Sequence, residues 1–429
     1  MKDKIFSTFR ALRHKNYSLF FIGQCISLVG TWIQQIATSW LVYRLTGSAL
    51  LMGLIVFTGS IPSLIISPFA GVFIDRINKY KGLLIIQTIF MLEIFILAML
   101  ALSGSIQVWH IIILSIIIGI TAAIDMPLRQ SFVVQLVDDP NDLSNAISLN
   151  SSMFNLARLI GPAIAGVLIA AVGEGVCFLI DSLSYIAVLS ALFMMKIKYI
   201  PNRKTSDKKL LDEFKEGIKY TANFPIIKNS LLYLALASFI GMSYPVLMPI
   251  FAKEVLGGNA QTLGWLMSAS GCGALVGALH LASQKRISRF KIFILIASIL
   301  FGLAMCGLTF TRNLHISLVF LFIIGFGMVT IMASCNTIIQ HYVDESKRGR
   351  VMSLYAMAFI GTAPIGSLVE GAIAEKIGLP LTFMINGLSM LIAALIFRSK
   401  LDTFNPKNKK LSFNKSIIDE KVTPSFPIE

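Results

Sequence analysis

Six ionisable residues stand where an ionisable residue is costly: Glu93, Asp125, Arg129, Arg158, Asp181 and Glu370 all fall inside long apolar runs. In hydrocarbon such a side chain costs about 2.5–3.5 kcal/mol on insertion scales, so each needs a partner, water or a bound proton. A carboxylate placed this way can take up a proton when buried and release it when an arginine approaches. Asp125 and Arg129 are four residues apart, the spacing of a pair along one helix, and Pro127 between them predicts a local distortion. Arg158 stands near the middle of its run with Asn155 one turn before it, and its expected partner is Asp125 or Asp181. Glu93 and Asp181 complete the candidates for proton coupling or embedded ion pairing; Asp181 and Glu370 read mostly as structural.

A second set is polar but uncharged. Gln24, Ser27, Thr31, Gln34 and Thr38 follow one another at helical spacing and so share one face, which Gln35 and Ser39 widen. Small and amide side chains also join helices to one another, so packing and cavity lining stand side by side as readings of Ser27 and Thr31. Three glutamines in one apolar run favour a hydrated face that touches substrate. Tyr233 and Thr337 are the candidates from the second half of the chain. No nucleophile with its base gathers at one depth, as an embedded enzyme would require. The five cysteines show no C-x-x-C or metal-ligand spacing, and no G-x-x-x-x-G-K-[ST] loop offers a nucleotide site. The expectation is no enzyme, no metal and no cofactor.

The elements that must position these residues are membrane spans. Of 429 residues 55% are hydrophobic and only 14% charged, against about 25% charged for a soluble domain. About twelve runs are long enough to cross a bilayer as helices, which takes about 20 residues each. They fall into two groups of six, giving the expected division: an amphipathic arm at 1–16, bundles at 17–196 and 227–398, a linker at 197–226 and a polar, disordered tail at 399–429. The fold class is all-α membrane protein. The formal charge of +15 invites a nucleic-acid partner, but no folded basic domain carries it. Of 37 Lys and Arg, only Arg44, Lys253, Arg312 and Lys376 fall in the loops opposite the termini and Arg158 lies in a span, leaving 32 on the side of the termini. By the positive-inside rule both termini and the linker are cytoplasmic, in a multi-pass protein of the cell (inner) membrane.

A shift of 205 residues lays the fifth span on the eleventh: Ile147-Ser148-Leu149 on Met352-Ser353-Leu354, Gly161 on Gly366, Gly166 on Gly371 and Gly173 on Gly378. Such parallel repeats build one large class of carriers, with substrate bound between the halves.

Two glycine patterns add to this. Gly71-Val72-Phe73-Ile74-Asp75-Arg76, followed by Lys79 and Lys81, ends the second span, and Gly161-Pro162-Ala163-Ile164-Ala165-Gly166 lies in the fifth. At these positions in a six-plus-six chain they resemble the loop and antiporter signatures of the major facilitator superfamily. The loop departs at Asn78 and Lys79, and the fifth span has Ser148 and Ala157 where glycines are common. Phe9-Arg10-Ala11-Leu12-Arg13, Leu45-Thr46-Gly47-Ser48, Asp125-Met126-Pro127-Leu128-Arg129 and Ala157-Arg158-Leu159-Ile160-Gly161-Pro162 then follow in the order of its transmembrane secretion effector branch, related to macrolide efflux proteins and the enterobactin exporter. The resemblance covers about residues 8–398. It implies a monomeric, proton-driven exporter of an amphiphilic small molecule, a drug, macrolide-like compound or siderophore, with the bilayer as its other partner. Gly71, Asp75, Arg76, Gly161, Pro162 and Gly166 would serve gating. Lysolipid or nutrient transport on the same fold stands as the alternative.

Overall fold

The structure, a computed structural model, describes residues 9–74, 77–195, 210–284 and 286–399, and every regular element among them is helical. The first half holds α1 (Lys15–Thr46), α2 (Ala49–Ile74), α3 (Lys79–Leu102), α4 (Val108–Leu136) and α5 (Leu143–Met194). A short helix, α6 (Leu210–Asn223), leads into the second half. That half holds α7 (Pro225–Val255), α8 (Ala260–Ala282), α9 (Phe290–Phe310), α10 (Leu314–Tyr342), α11 (Arg348–Ile377) and α12 (Leu379–Ser399). Two of these carry π-helical segments, Phe251–Val255 at the end of α7 and Met357–Gly361 in the middle of α11.

Eleven described helices are long and apolar enough to cross a membrane, and α5 crosses twice. Its 52 residues would extend to about 78 Å at 1.5 Å each, far beyond a hydrocarbon core of about 30 Å. The chain reverses at Gly173, whose φ of 80° and ψ of 171° are open to glycine and strained for any other residue. Gly378, its partner under the 205-residue shift, ends α11 with φ 81° and ψ 163°. The repeat seen in the letters is therefore a repeat in backbone conformation, and the twelve expected spans are all present, the fifth and sixth as the two arms of α5.

The halves meet backbone to backbone at the end holding the α1–α2 and α7–α8 turns. A Cβ on Gly264 of α8 would stand 2.6 Å from the Pro162 carbonyl oxygen of α5, and one on Gly166 would stand 3.0 Å from the Gly264 Cα. The second seam repeats the first: a Cβ on Gly53 of α2 would collide with the Ser367 carbonyl of α11, and one on Gly371 with that of Ala49. Glu375 of α11 then caps α2 across the halves. Its Oε2 accepts from Ser48 Oγ at 3.1 Å, Ala49 N at 2.8 Å and Leu50 N at 3.3 Å. Unpaired N–H groups and the helix dipole make that terminus a natural seat for an anion. Tyr43 also donates across the halves, to Glu254 Oε1 at 3.3 Å.

One expectation needs correction. The described part of the N-terminal arm is not a surface-lying amphipathic helix but a single 3₁₀ turn, Arg10–Arg13, docked on the protein. Ala11 is fully buried and its N–H reaches Asn145 Oδ1 at 2.9 Å, while His14 Nε2 lies 3.1 Å from Asp142 Oδ2. Within the expected linker, residues Leu210–Asn223 form α6. α6 is fastened to the second half, with Glu216 bonded to Lys347 and, at 2.7 Å, to Arg350. Tyr220 there donates to Asp344 Oδ2 at 3.0 Å, and burial pushes its hydroxyl up to about 12, so it remains a donor at any ordinary pH. Pro127 lies within α4, which runs through it as one helix. The expected tail, 399–429, lies beyond the described residues apart from Ser399.

Candidate functional site

The polar residues of α1 point into their own half. Gln24 is 2% exposed and its Oε1 accepts from Arg129 Nη1 at 2.5 Å. Arg129 also grips Asp125 one turn back on α4, as the four-residue spacing predicts. The other oxygen of Asp125 accepts from Gln87 Nε2 of α3 at 2.9 Å. Gln24, Gln87, Asp125 and Arg129, from three helices, thus form one hydrogen-bonded cluster around a buried carboxylate. Gln87 was not among the sequence candidates: a lone glutamine in an apolar run signals a partner but does not name it.

Further along α1 the same face meets the second arm of α5. A Cβ on Gly30 would collide with Asp181, which is fully buried. Ser184 Oγ donates to the Asp181 carbonyl oxygen at 2.6 Å, and Asp181 Oδ2 has no hydrogen-bond partner. Glu93 of α3 is near enough to Asp181 to feel its charge, is 3% exposed, and neither of its oxygens is hydrogen-bonded. Tyr185, another residue the sequence did not single out, lies among Thr31, Asp181 and the Asp125–Arg129 pair. Ser27 is buried, Thr31 donates to its carbonyl oxygen at 3.0 Å, Thr38 buries an unpartnered hydroxyl, and Gln34 is half-buried. The stripe is chiefly an internal polar seam, with its exposed edge at Gln35.

Arg158 is elsewhere. It pairs with neither Asp125 nor Asp181, and no described carboxylate lies within salt-bridge reach of it. The reason is the face it occupies. Ser144, Ser148, Ser151 and Ser152 are exposed on α5, Asn155 and Arg158 half-exposed, and at three- and four-residue spacing they form one ridge. Lipid-facing helix is apolar, as Leu156, Ile160 and Val167 are on the other side of α5, so the polar ridge faces the space between the halves. Ser148, Ser151, Ser152 and Asn155 bond back to carbonyls four residues earlier. Beyond Arg158 the same ridge closes: a Cβ on Gly271 of α8 would stand 3.1 Å from the Arg158 carbonyl oxygen, and Pro162 and Gly166 form the seam. Tyr244 of α7 is close enough to feel the Arg158 charge, and its hydroxyl lies 2.5 Å from Ser270 Oγ of α8.

The remaining candidates separate. Tyr233 lies buried within the second half, its ring tilted against Phe397 at 4.7 Å and its hydroxyl 2.5 Å from Ser298 Oγ. Thr337 is half-buried on α10 and bonds the Ala333 carbonyl oxygen at 2.8 Å. Glu370 is buried against Asn386. Gly161 packs on Trp32 of α1, joining Pro162 and Gly166 in close helix contact. Gly71 lies in α2, while Asp75 and Arg76 fall outside the described residues.

Known proteins resemble this chain over nearly its whole length. The family described as transmembrane secretion effector matches residues 6–426. The Staphyloferrin A transporter of Staphylococcus aureus is 30% identical over 384 residues, covering 88% of this chain and 94% of that protein. The multidrug efflux pump Tap of Mycolicibacterium fortuitum is 26% identical, covering 86% and 91%, and macrolide efflux protein A of Streptococcus pyogenes 23%, covering 90% and 96%. In fold the chain matches a bacterial homologue of the lysosomal transporter Spinster in an inward-facing, unoccupied conformation, with a TM-score of 0.69, 12% identity, and 91% and 97% of the two chains covered. The nucleoside transporter NupG matches at a TM-score of 0.65 and 15% identity, covering 92% and 99%. Two six-helix halves, a seam at one end and a polar ridge between them are thus found in a chain that belongs to the transmembrane secretion effector family of the major facilitator superfamily, a multi-pass membrane transporter.

Proposed function

We propose that this protein exports an amphiphilic small molecule across the cell membrane by alternating access, driven by the proton gradient. The observation that carries the reading is the pair of halves joined by glycine seams and the Glu375 cap at one end, with an exposed polar ridge running toward the other. With both termini cytoplasmic, as the distribution of Lys and Arg argues, the joined end is external and the conformation is inward-facing. Rocking of one half on the other exchanges the open end. The word efflux in the names of two relatives supports outward transport.

Glu93 and Asp181 support proton coupling better than Asp125 does. Asp125 is held by Arg129 and Gln87, whereas Glu93 and Asp181, near enough for one to feel the other's charge, together leave three oxygens without a hydrogen bond. Two neighbouring charges in a low dielectric are unfavourable, and one proton removes one of them. Relative movement of α3 and the second arm of α5 would then set when that proton leaves.

The test is transport in vesicles energised by a proton gradient, offered siderophore, macrolide and lysophospholipid in parallel. Export of one cargo should collapse when an uncoupler dissipates the gradient. Export that survives the uncoupler would sink the proton-driven mechanism.

A further inference from the structure

The cleft has two flanks related by the internal repeat, and they differ in chemistry. On α5 the ridge reads Ser148, Ser151, Ser152, Asn155 and Arg158. The 205-residue shift replaces these on α11 by Ser353, Ala356, Met357, Ile360 and Ala363. Met357 and Ile360 are 37% and 40% exposed, at the π-helical segment of α11. π-Bulges re-aim side chains and recur at functional sites. One flank is therefore polar and cationic, and its counterpart apolar.

A guanidinium at mid-span without a carboxylate partner is costly to keep, and the structure offers Arg158 no internal acceptor of opposite charge among the described residues. Arg158 is half-exposed where the open ridge ends against α8, whose Gly271 packs on the Arg158 carbonyl. A planar guanidinium matches a carboxylate in two-point geometry. We propose that Arg158 anchors a carboxylate on the transported molecule, whose apolar portion lies toward Met357 and Ile360. This deepens the exporter reading and rests on it: the cargo is an anionic amphiphile, and Arg158 is a specificity residue rather than a member of the proton pair.

Binding tests it on the purified full chain in neutral-lipid nanodiscs, with a fluorescent aryl carboxylate and its uncharged primary amide as probes. Wild type should favour the carboxylate by about tenfold or more, the scale of one charge-assisted contact. Arg158→Gln should erase that preference, with a cooperative thermal transition in detergent close to that of wild type showing that the variant is folded. Arg158→Lys should restore part of it, since a point charge lacks the two-point geometry. Equal binding of both probes by wild type, or a preference that survives Arg158→Gln, overturns the proposal. So does loss of the preference when anionic lipid replaces a third of the neutral lipid at constant ionic strength, which would make a headgroup the true occupant. Because binding is read without a gradient, a carboxylate preference alongside uncoupler-resistant export would leave the anchor standing and remove only the proton mechanism.

Discussion

Asp125 has two hydrogen-bonding partners and one countercharge, and their removal should not be equivalent. Arg129→Met leaves a buried carboxylate uncompensated, which costs about 3–5 kcal/mol in comparable pairs. Asp125→Asn keeps the Gln87 contact and leaves an arginine with Gln24 to bond. Thermal unfolding in detergent should therefore show Arg129→Met as the least stable, with Asp125→Asn/Arg129→Met recovering part of the loss. A double variant no better than Arg129→Met would show that the pair is not a unit. Glu93→Gln and Asp181→Asn make a different prediction: both should fold, bind cargo and exchange it down its gradient, yet lose accumulation driven by protons. Full proton-driven transport by both variants would return the coupling role to Asp125. At this scale the sequence revealed the i,i+4 pair because both partners share one helix. It did not reveal Gln87, Tyr185 or the isolation of Arg158, since these depend on how neighbouring helices are rotated, and apolar runs leave rotation undetermined.

Helices were far more legible. Each span is an uninterrupted apolar run closed by a polar or glycine-containing break, so length and hydropathy alone place it. The exceptions have local causes. α6 carries enough charge to read as a linker, and its helix is held by tertiary contacts to Asp344, Lys347 and Arg350. The N-terminal arm reads as amphipathic, but Ala11 and His14 find protein partners instead of lipid. The turns and seams can be tested directly. Gly173→Ala and Gly378→Ala each force an L residue into φ near 80°, a cost of about 1–3 kcal/mol, so both should lower thermal stability. Comparable substitution at Gly349, where φ is ordinary and an added Cβ meets nothing, should be neutral. Gly166→Leu should wedge α5 from α8 and raise the labelling rate of a cysteine placed at the α7–α8 turn; unchanged labelling would show the seam to be dispensable.

For the whole molecule, the repeat is the organising fact. The shift that pairs Gly173 with Gly378 also pairs Pro162 with Ser367 and Gly166 with Gly371, so the two seams are copies of one contact. Where the copies diverge, function has room: Arg158 against Ala363, and Glu375 against Ala170. Glu375→Gln should weaken the cap on α2 and shift the population toward an outward opening, visible as a longer distance between spin labels at the α1–α2 and α11–α12 turns. No change in that distance would deny Glu375 a gating part. The nature of the seam has a thermodynamic consequence. Backbone amides and a carboxylate that part can be rehydrated, so each such charge-assisted bond contributes only about 1.5–3 kcal/mol net. Inverting a 99:1 population takes about 5.5 kcal/mol, within the differential affinity of one ligand or proton. A seam of interlocked leucines would sit deep in one well. Under the alternating access proposed above, this one would need only cargo and proton to tip it.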